Sequence, residues 1–418
     1  QMDWTRAADR YVQSIQQILP GWHIDLPINW QQANTSNPKA LLTYCAAYGK
    51  ALLHQQQVQT NAGQLHSISA LFTRLSDYLD QTRRQYRGME TREMWSALGK
   101  PIYEQAIQAA LYLAALENKE ANQELAFAFA EKSKGLLLLE SISDTRAKAF
   151  AGLPKALLMH EEQLRGQLGW MEKEEFLLQS SGEDPAGLQA VKDSIVQLSA
   201  AYEAFLNRIE QEYPAYFRLK YETGVQQVSG IRRQLLRPGQ ALIEYFVGSD
   251  FITRFVVTGA GLEVQTLPLA NNLAGKIDSL RKSIYWCRTN TENGGSCNYW
   301  DQVFAGLGFE LHQLLLSNLP ESNSWIIIPD DVLGYLPFEV LLKAPVARAM
   351  TGRYSDYPWV LRDKTISYSY SASLLWESRQ AARSYYPAKT AVLAYAPSFS
   401  GLVQTPWNRS EMKLTRGQ

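Results

Sequence analysis

Trp325-Ile326-Ile327-Ile328-Pro329-Asp330-Asp331-Val332-Leu333-Gly334-Tyr335-Leu336-Pro337-Phe338-Glu339-Val340-Leu341 decides how the rest of the chain reads. Its first four residues are too few for a helix and too apolar for a strand with one wet face. That pattern predicts a strand buried on both faces, in a parallel sheet covered by helices. Pro329 and the Asp330-Asp331 pair cannot extend a ladder and favour a turn. Beyond Pro337 the Phe-Glu-Val-Leu-Leu run predicts a helix start, with Glu339 in its first turn facing the positive end of the dipole. Two acids at the carboxyl end of a parallel strand stand where α/β folds place chemistry. Asp330 and Asp331 are therefore the candidates for lining a pocket or orienting the loop, although turn preferences favour a structural role.

Working outward, the flanking sequence supplies more strands. Ala241–Val247 and Phe251–Thr258 are β-rich runs split by Gly248-Ser249-Asp250, which predicts a hairpin. Leu262–Leu267 alternates and reads as a third antiparallel strand with one wet face. Helices are expected from about Ala274 to Trp286 and from about Trp300 to Leu316. Lys364–Ser369 reads as another strand, Ser371–Trp376 as a helix start, and Thr390–Ala396 as a second buried-type strand. Strands alternating with helices predict an α/β sandwich with a parallel core and an antiparallel extension.

The first half is helical. Gln, Ala, Leu and Glu dominate from Met2 to about Tyr213, and proline is sparse. Helices are expected over about Lys39–Gln57, Leu65–Tyr86, Arg92–Leu116 and Asn122–Ile142, joined by short links that make neighbours antiparallel. Ala46, Ala47, Ala106, Ala109 and Ala110 allow the close packing that stacked tetratricopeptide-type hairpins require. No clean repeat is visible, so periodicity leaves a repeat array and an irregular bundle equally open. Leu157, Leu164, Leu168 and Met171 form one amphipathic stripe, and Ile195, Leu198, Tyr202, Phe205 and Ile209 form another. The turn cluster Ser180–Pro185 between them predicts a long antiparallel hairpin, its acids a solvated face. The expected fold is α + α/β: a helical array over residues 1–150, the hairpin over 151–213 and an α/β domain over 214–418.

Composition bounds the function. Lys plus Arg and Asp plus Glu are both 41 in a chain of 418 residues, so no basic excess points to nucleic acid or an anionic membrane surface. No apolar run approaches a membrane span. Three cysteines, Cys45, Cys287 and Cys297, are too few and scattered for a disulfide framework, which predicts a soluble, cytoplasmic protein. Cys45 reads as core; Cys287 and Cys297 read as free thiols whose spacing fits no zinc site. His54, His66 and His160 read as surface or interhelical residues, and His312 as a structural one. No phosphate loop, HExxH pair or GxSxG elbow is present. No catalytic, cofactor-binding or metal-ligating residue is assigned, and no cofactor is expected. From the residues alone the chain is a helical interaction module fused to an α/β domain.

The order of elements resembles the CHAT family, caspase-like domains preceded by tetratricopeptide repeats. Tyr103-Glu104-Gln105-Ala106 and Ala130-Glu131-Lys132-Ser133-Lys134 resemble the last repeat. Leu242–Gly248 resembles the strand that opens the CHAT region; Ile327-Ile328-Pro329-Asp330, with Leu333 and Leu336-Pro337-Phe338-Glu339, is the most specific match. Ile366–Leu375 and Leu393–Phe399 continue it in order. The resemblance implies a caspase-like fold and a cysteine peptidase with a His–Cys dyad on strands that follow Ala396-Pro397-Ser398-Phe399. The sequence reaches Gln418 with no His-Gly or Ser-x-Cys strand end, so the dyad maps onto no residue here. Together with a start at Gln1, this predicts the amino-terminal part of a longer protease, its sheet completed by a further segment or second chain. The implied function is a partner- or ligand-gated peptidase acting on protein substrates in bacterial signalling or defence, with a regulatory protein or peptide on the repeats. The alternatives are a non-catalytic interaction scaffold with a pseudo-protease domain, and a helical adaptor with an unrelated α/β domain.

Overall fold

Small residues decide how closely the first helices approach. The computed structural model describes residues 3–25, 38–85, 89–134, 154–181, 184–213, 225–292, 298–347 and 353–383. Its first layer contains α1 (Trp4–Ile18), α2 (Pro38–Gln56), α3 (Ala62–Gln85), α4 (Met89–Leu116) and α5 (Lys119–Lys132). Asp3 caps α1 by accepting from the Arg6 backbone N–H at 3.1 Å, and Asn61 does the same for Gln64 at the start of α3 at 3.0 Å. Asn118, at φ 39°, turns the chain between α4 and α5 in the left-handed region that Asn tolerates. Ala106, Ala109 and Ala110 are fully buried, and Gly49 lies so close to the Phe72 ring that an added Cβ would meet it at 2.4 Å. The helix expected to reach Ile142 ends at Lys132, and residues 135–153 lie outside the described residues.

Helices α6 (Lys155–Ser181) and α7 (Pro185–Glu212) pack together as the expected hairpin. Asp184 accepts from the Gly187 N–H at 2.8 Å and Pro185 opens the helix, a start signal legible in the sequence. Leu164, Leu168, Tyr202, Phe205 and Ile209 form a core of their own, distinct from the two larger cores.

The sheet contains β1 (Gln240–Val247), β2 (Phe251–Val257), β3 (Leu262–Pro268), β4 (Ser324–Ile328) and β5 (Thr365–Tyr368) in the order β3-β2-β1-β4-β5. The β1–β2 and β2–β3 pairs are antiparallel, whereas β4 runs parallel to both β1 and β5. Side-chain alternation sends the two faces into different cores. Leu242, Phe246, Phe255, Val257, Ile326 and Ile328 join one core with the first helical layer, where Phe127 of α5 meets Phe255 edge-on at 5.6 Å. Ala241, Ile243, Tyr245, Trp325 and Ile327 face α8 (Leu273–Glu292) and α9 (Asn298–Leu315). Strand β4 is thus buried on both faces, as its composition requires. Strand β3 carries the expected wet face.

On the α9 side, two polar groups fasten the sheet. The Tyr245 hydroxyl and the Arg254 guanidinium both donate to the Leu315 carbonyl, at 2.8 and 2.6 Å, and Arg254 donates to the Ser317 carbonyl at 2.8 Å. A buried cation at a helix carboxyl end is satisfied by the free carbonyls and by the dipole.

The segment after β4 corrects the expected helix. It forms two short 3-10 turns, Asp331–Tyr335 and Phe338–Val340. Leu336, Phe338, Leu341 and Leu342 are all drawn into one core, with Phe338 stacked on Tyr245 at 5.5 Å. Leu342 then bridges to Trp359, so the backbone follows its anchors and leaves no helical stripe. The chain returns through β5 into α10 (Ala372–Arg383). Among the described residues β5 is an edge strand with mostly exposed side chains; the second buried-type strand expected at Thr390–Ala396 lies outside them. The architecture is α+β, with a mixed sheet between helical layers. No helix among the described residues is long and apolar enough to cross a membrane.

Gly49→Ala tests the packing of the first layer. Alanine is the better helix former by roughly 1 kcal/mol, yet overpacking against a fully buried ring costs about 1–3 kcal/mol. The expected outcome is a lower thermal midpoint, recovered at least in part by adding Phe72→Leu.

Candidate functional site

The carboxyl-terminal turn of α5 and the two residues past it carry two charges into the protein interior. Ala126, Phe127 and Ala130 seat the helix in the core it shares with β1 and β2. Glu131 and Lys134, three residues apart, therefore project from one face toward the sheet. Lys134 Nζ lies 2.9 Å from Glu244 Oε1, and Glu244, in the middle of β1, is 0% exposed. Glu131 is 2% exposed and accepts three hydrogen bonds: Ala372 N–H to Oε1 at 2.7 Å, Ser373 N–H to Oε2 at 2.8 Å, and the Ser373 hydroxyl to Oε2 at 2.6 Å. Those amides are the free donors at the start of α10, so a side chain from the first layer caps a helix of the α/β layer. Ser371 caps it from within by accepting from Leu374 N–H at 3.0 Å, and the Gln226 N–H donates to Ser373 Oγ at 2.9 Å.

Two carboxyls and one ammonium in a dry interior do not balance unless one carboxyl holds a proton. Glu244 is the one. Burial pushes its pKa well above the usual carboxylate range, the neighbouring Glu131 charge adds to the rise, and Lys134 opposes both. No N–H or O–H donor reaches Glu244 Oε2, so a proton there relieves the repulsion with Glu131. The arrangement links α5, β1 and α10 through a proton-dependent contact.

A second polar attachment sits at the carboxyl ends of β1 and β4. Asp330 Oδ2 accepts the Val247 N–H at 2.7 Å, joining the loop after β4 to the end of β1. Asp331, at φ 49°, turns away and meets Lys100 Nζ of α4 at 3.0 Å; the same ammonium is 3.8 Å from Asp330. One turn along α4, Glu104 Oε1 accepts from the Ser249 N–H and hydroxyl, each at 2.7 Å. Gly248 makes room for this clasp, because a Cβ there would lie 2.7 Å from Glu104 Oε1. The first helical layer thus holds the β1–β2 loop with α4 and the start of α10 with α5.

Sequence reasoning singled out Asp330 and Asp331 but gave no role to Lys100, Glu104, Glu131, Lys134 or Glu244. A legible signal existed for one of them: Glu244 is a lone acid inside an otherwise apolar strand, a position that demands a partner. The remaining candidates for chemistry stand apart from this seam. Cys45 is fully buried, and burial pushes its thiol up to about 12, which makes it inert. His54 stacks on Trp4, His160 meets Phe205 edge-on, and His66 pairs with Glu117. Burial, and then Lys343, lower the His312 pKa, and no partner reaches its buried Nδ1. The side chains of Cys287 and Cys297 lie outside the described residues. Among the described residues no three His, Cys, Asp or Glu side chains are grouped to hold a metal ion. No protein-family model matches the chain, and no curated protein matches its sequence.

The seam has a pH signature. A carboxyl whose folded pKa lies above its unfolded value binds more protons in the folded state, so it lowers stability as pH rises from the ordinary value of 4.5 through the raised one. Glu244→Gln, neutral at every pH, removes that slope. The variant's denaturant midpoint is expected to gain on the native protein's as pH rises above 4.5; parallel curves would show that Glu244 does not titrate in the folded protein. Glu131→Gln replaces a charged acceptor of three hydrogen bonds by a neutral amide and is expected to cost about 2–3 kcal/mol in chemical denaturation.

Proposed function

We propose that the chain is the regulatory and amino-terminal part of a CHAT-type, caspase-like cysteine peptidase, in which the first helical layer gates the α/β layer. The observation that carries this reading is where the family-like passages meet. Ala130–Lys134, Leu242–Gly248 and Ile366–Leu375 converge on one buried contact, through Glu131, Lys134, Glu244, Ala372 and Ser373. Glu104, from the Tyr103–Ala106 passage, clasps the loop at Gly248 and Ser249. Passages that resemble a repeat and passages that resemble the caspase-like region are therefore the ones that join the two layers. The mixed sheet, with parallel β1, β4 and β5 and an antiparallel β2–β3 extension, supports the same reading.

In this proposal a regulatory protein or peptide bound on the helical layer shifts α4 and α5. The shift moves the loop after β1 and the start of α10 together. A further segment or a second chain brings the His–Cys dyad, and the cysteine thiolate attacks a peptide carbonyl while the histidine handles the protons. The chain's own residues in this scheme are coupling residues; Asp330 and Asp331 orient the loop that follows the central strand. A non-catalytic scaffold is the second reading, favoured by the inert state of Cys45 and by the absence of a thiol–histidine pair among the described residues.

The test is to express the whole reading frame that contains these residues and follow cleavage of a denatured-proteome peptide library, with and without thiol alkylation. Alkylation-sensitive cleavage that Glu131→Gln alters is the expected result. A frame without a histidine and a cysteine at strand ends, or a frame whose protein cleaves nothing, favours the scaffold.

A further inference from the structure

Helix α6 has a second apolar stripe, on the side away from its own core. Leu164 and Leu168 face α7, whereas Met159, Trp170 and Leu177 point outward and are 70, 61 and 50% exposed. With Gln163, Gly166 and Lys173, also exposed, they follow a strict four–three spacing: 159, 163, 166, 170, 173, 177. That is the seam of a coiled coil, and the helix presents it over about 27 Å.

The order of residues along the seam is its own complement. Rotating a second copy about a two-fold axis through residue 168 sets Met159 against Leu177, Gln163 against Lys173 and Gly166 against Trp170. Apolar meets apolar, polar meets polar, and the smallest residue meets the largest. Among the described residues a Cβ added at Gly166 would touch nothing within 4 Å, so the glycine leaves an open hole on the surface. Glycine costs about 1 kcal/mol in a helix interior, and no close approach among the described residues requires it here. We infer that α6 is a homodimerisation surface, pairing antiparallel with α6 of a second copy and seating each Trp170 over the other's Gly166.

An isologous contact of this kind needs every patch to match itself under the rotation, a condition that a stripe shaped for an unrelated partner has no reason to meet. A single seam buries less than the roughly 1,200 Å² of a standard stable interface, so the dimer forms and dissociates with concentration. Among the described residues the hairpin that carries the seam has its own core, and Met159, Trp170 and Leu177 belong to none of the three cores.

Sedimentation velocity on the full chain, from about 1 to about 200 µM, reads the equilibrium directly. The sedimentation coefficient is expected to rise with concentration in the native protein. Gly166→Leu fills the hole, improves helix propensity and is expected to weaken the dimer at least tenfold, on the order of a lost hot spot. Gln163→Glu sets two acids against two lysines and is expected to tighten the dimer several-fold; Gln163→Lys sets like charges together and is expected to weaken it by a similar factor. Retained helical circular dichroism and a thermal midpoint no lower than the native protein's show that each variant remains folded. A native chain that stays monomeric over the whole range overturns the inference, as does a dimer that Gly166→Leu and Gln163→Lys leave intact.

Discussion

The buried contact among Glu131, Lys134 and Glu244 is the constraint on which the arrangement of layers depends. Three ionisable groups in a dry interior cost several kcal/mol each in lost hydration, and their mutual attraction returns that cost only in good geometry. Lys134 answers one carboxyl, and the three hydrogen-bond donors at the start of α10 answer the other. An apolar replacement could fill the same space at equal stability, but apolar contacts are indifferent to sliding. The charged set ties α5, β1 and α10 to one register. Removing any member leaves a buried charge or an uncapped helix start.

The two faces of the sheet are fastened by different electrostatics. Toward α9, Arg254 and the Tyr245 hydroxyl close the carboxyl end of the helix; a guanidinium stays protonated at any physiological pH, so that side is fixed. Toward the first helical layer, Glu131 accepts the amides at the amino end of α10, and burial raises the pKa of the neighbouring Glu244 carboxyl. The Glu131–Lys134–Glu244 contact therefore depends on pH, whereas the Arg254 contact to the end of α9 does not.

Helices α4 and α5 carry every polar attachment described between the first layer and the carboxyl-terminal half of the chain. Glu104 and Lys100 hold the loops after β1 and β4, while Glu131 and Lys134 hold the interior of β1 and the start of α10. A displacement of this helix pair is felt at the loops after β1 and β4 and at the start of α10 together, because all three follow parallel strands and lie at one end of the sheet. The α6–α7 hairpin has a separate core.

Local pattern alone determined much of this molecule. Trp325–Ile328 had to be a strand buried on both faces, because nothing in it tolerates water. The runs around Gly248-Ser249-Asp250 had to form a hairpin, and the stripes through Leu164 and Phe205 had to face each other. In each case the information lies within a few residues, and burial of one face is its physical content. The helix expected after Pro337 failed for the opposite reason: Phe338, Leu341 and Leu342 answer to anchors in a distant core, and those anchors outweigh the local preference for a helix start. Asp330 could be singled out from its place at a strand end, but its bond to Val247 could not. Glu131 reads as one more acid on a polar helix until α10, more than two hundred residues later, offers it three donors. Tertiary structure decided which charges are buried together, since desolvation and pairing depend on the distance between side chains in space, and sequence separation carries no record of that distance.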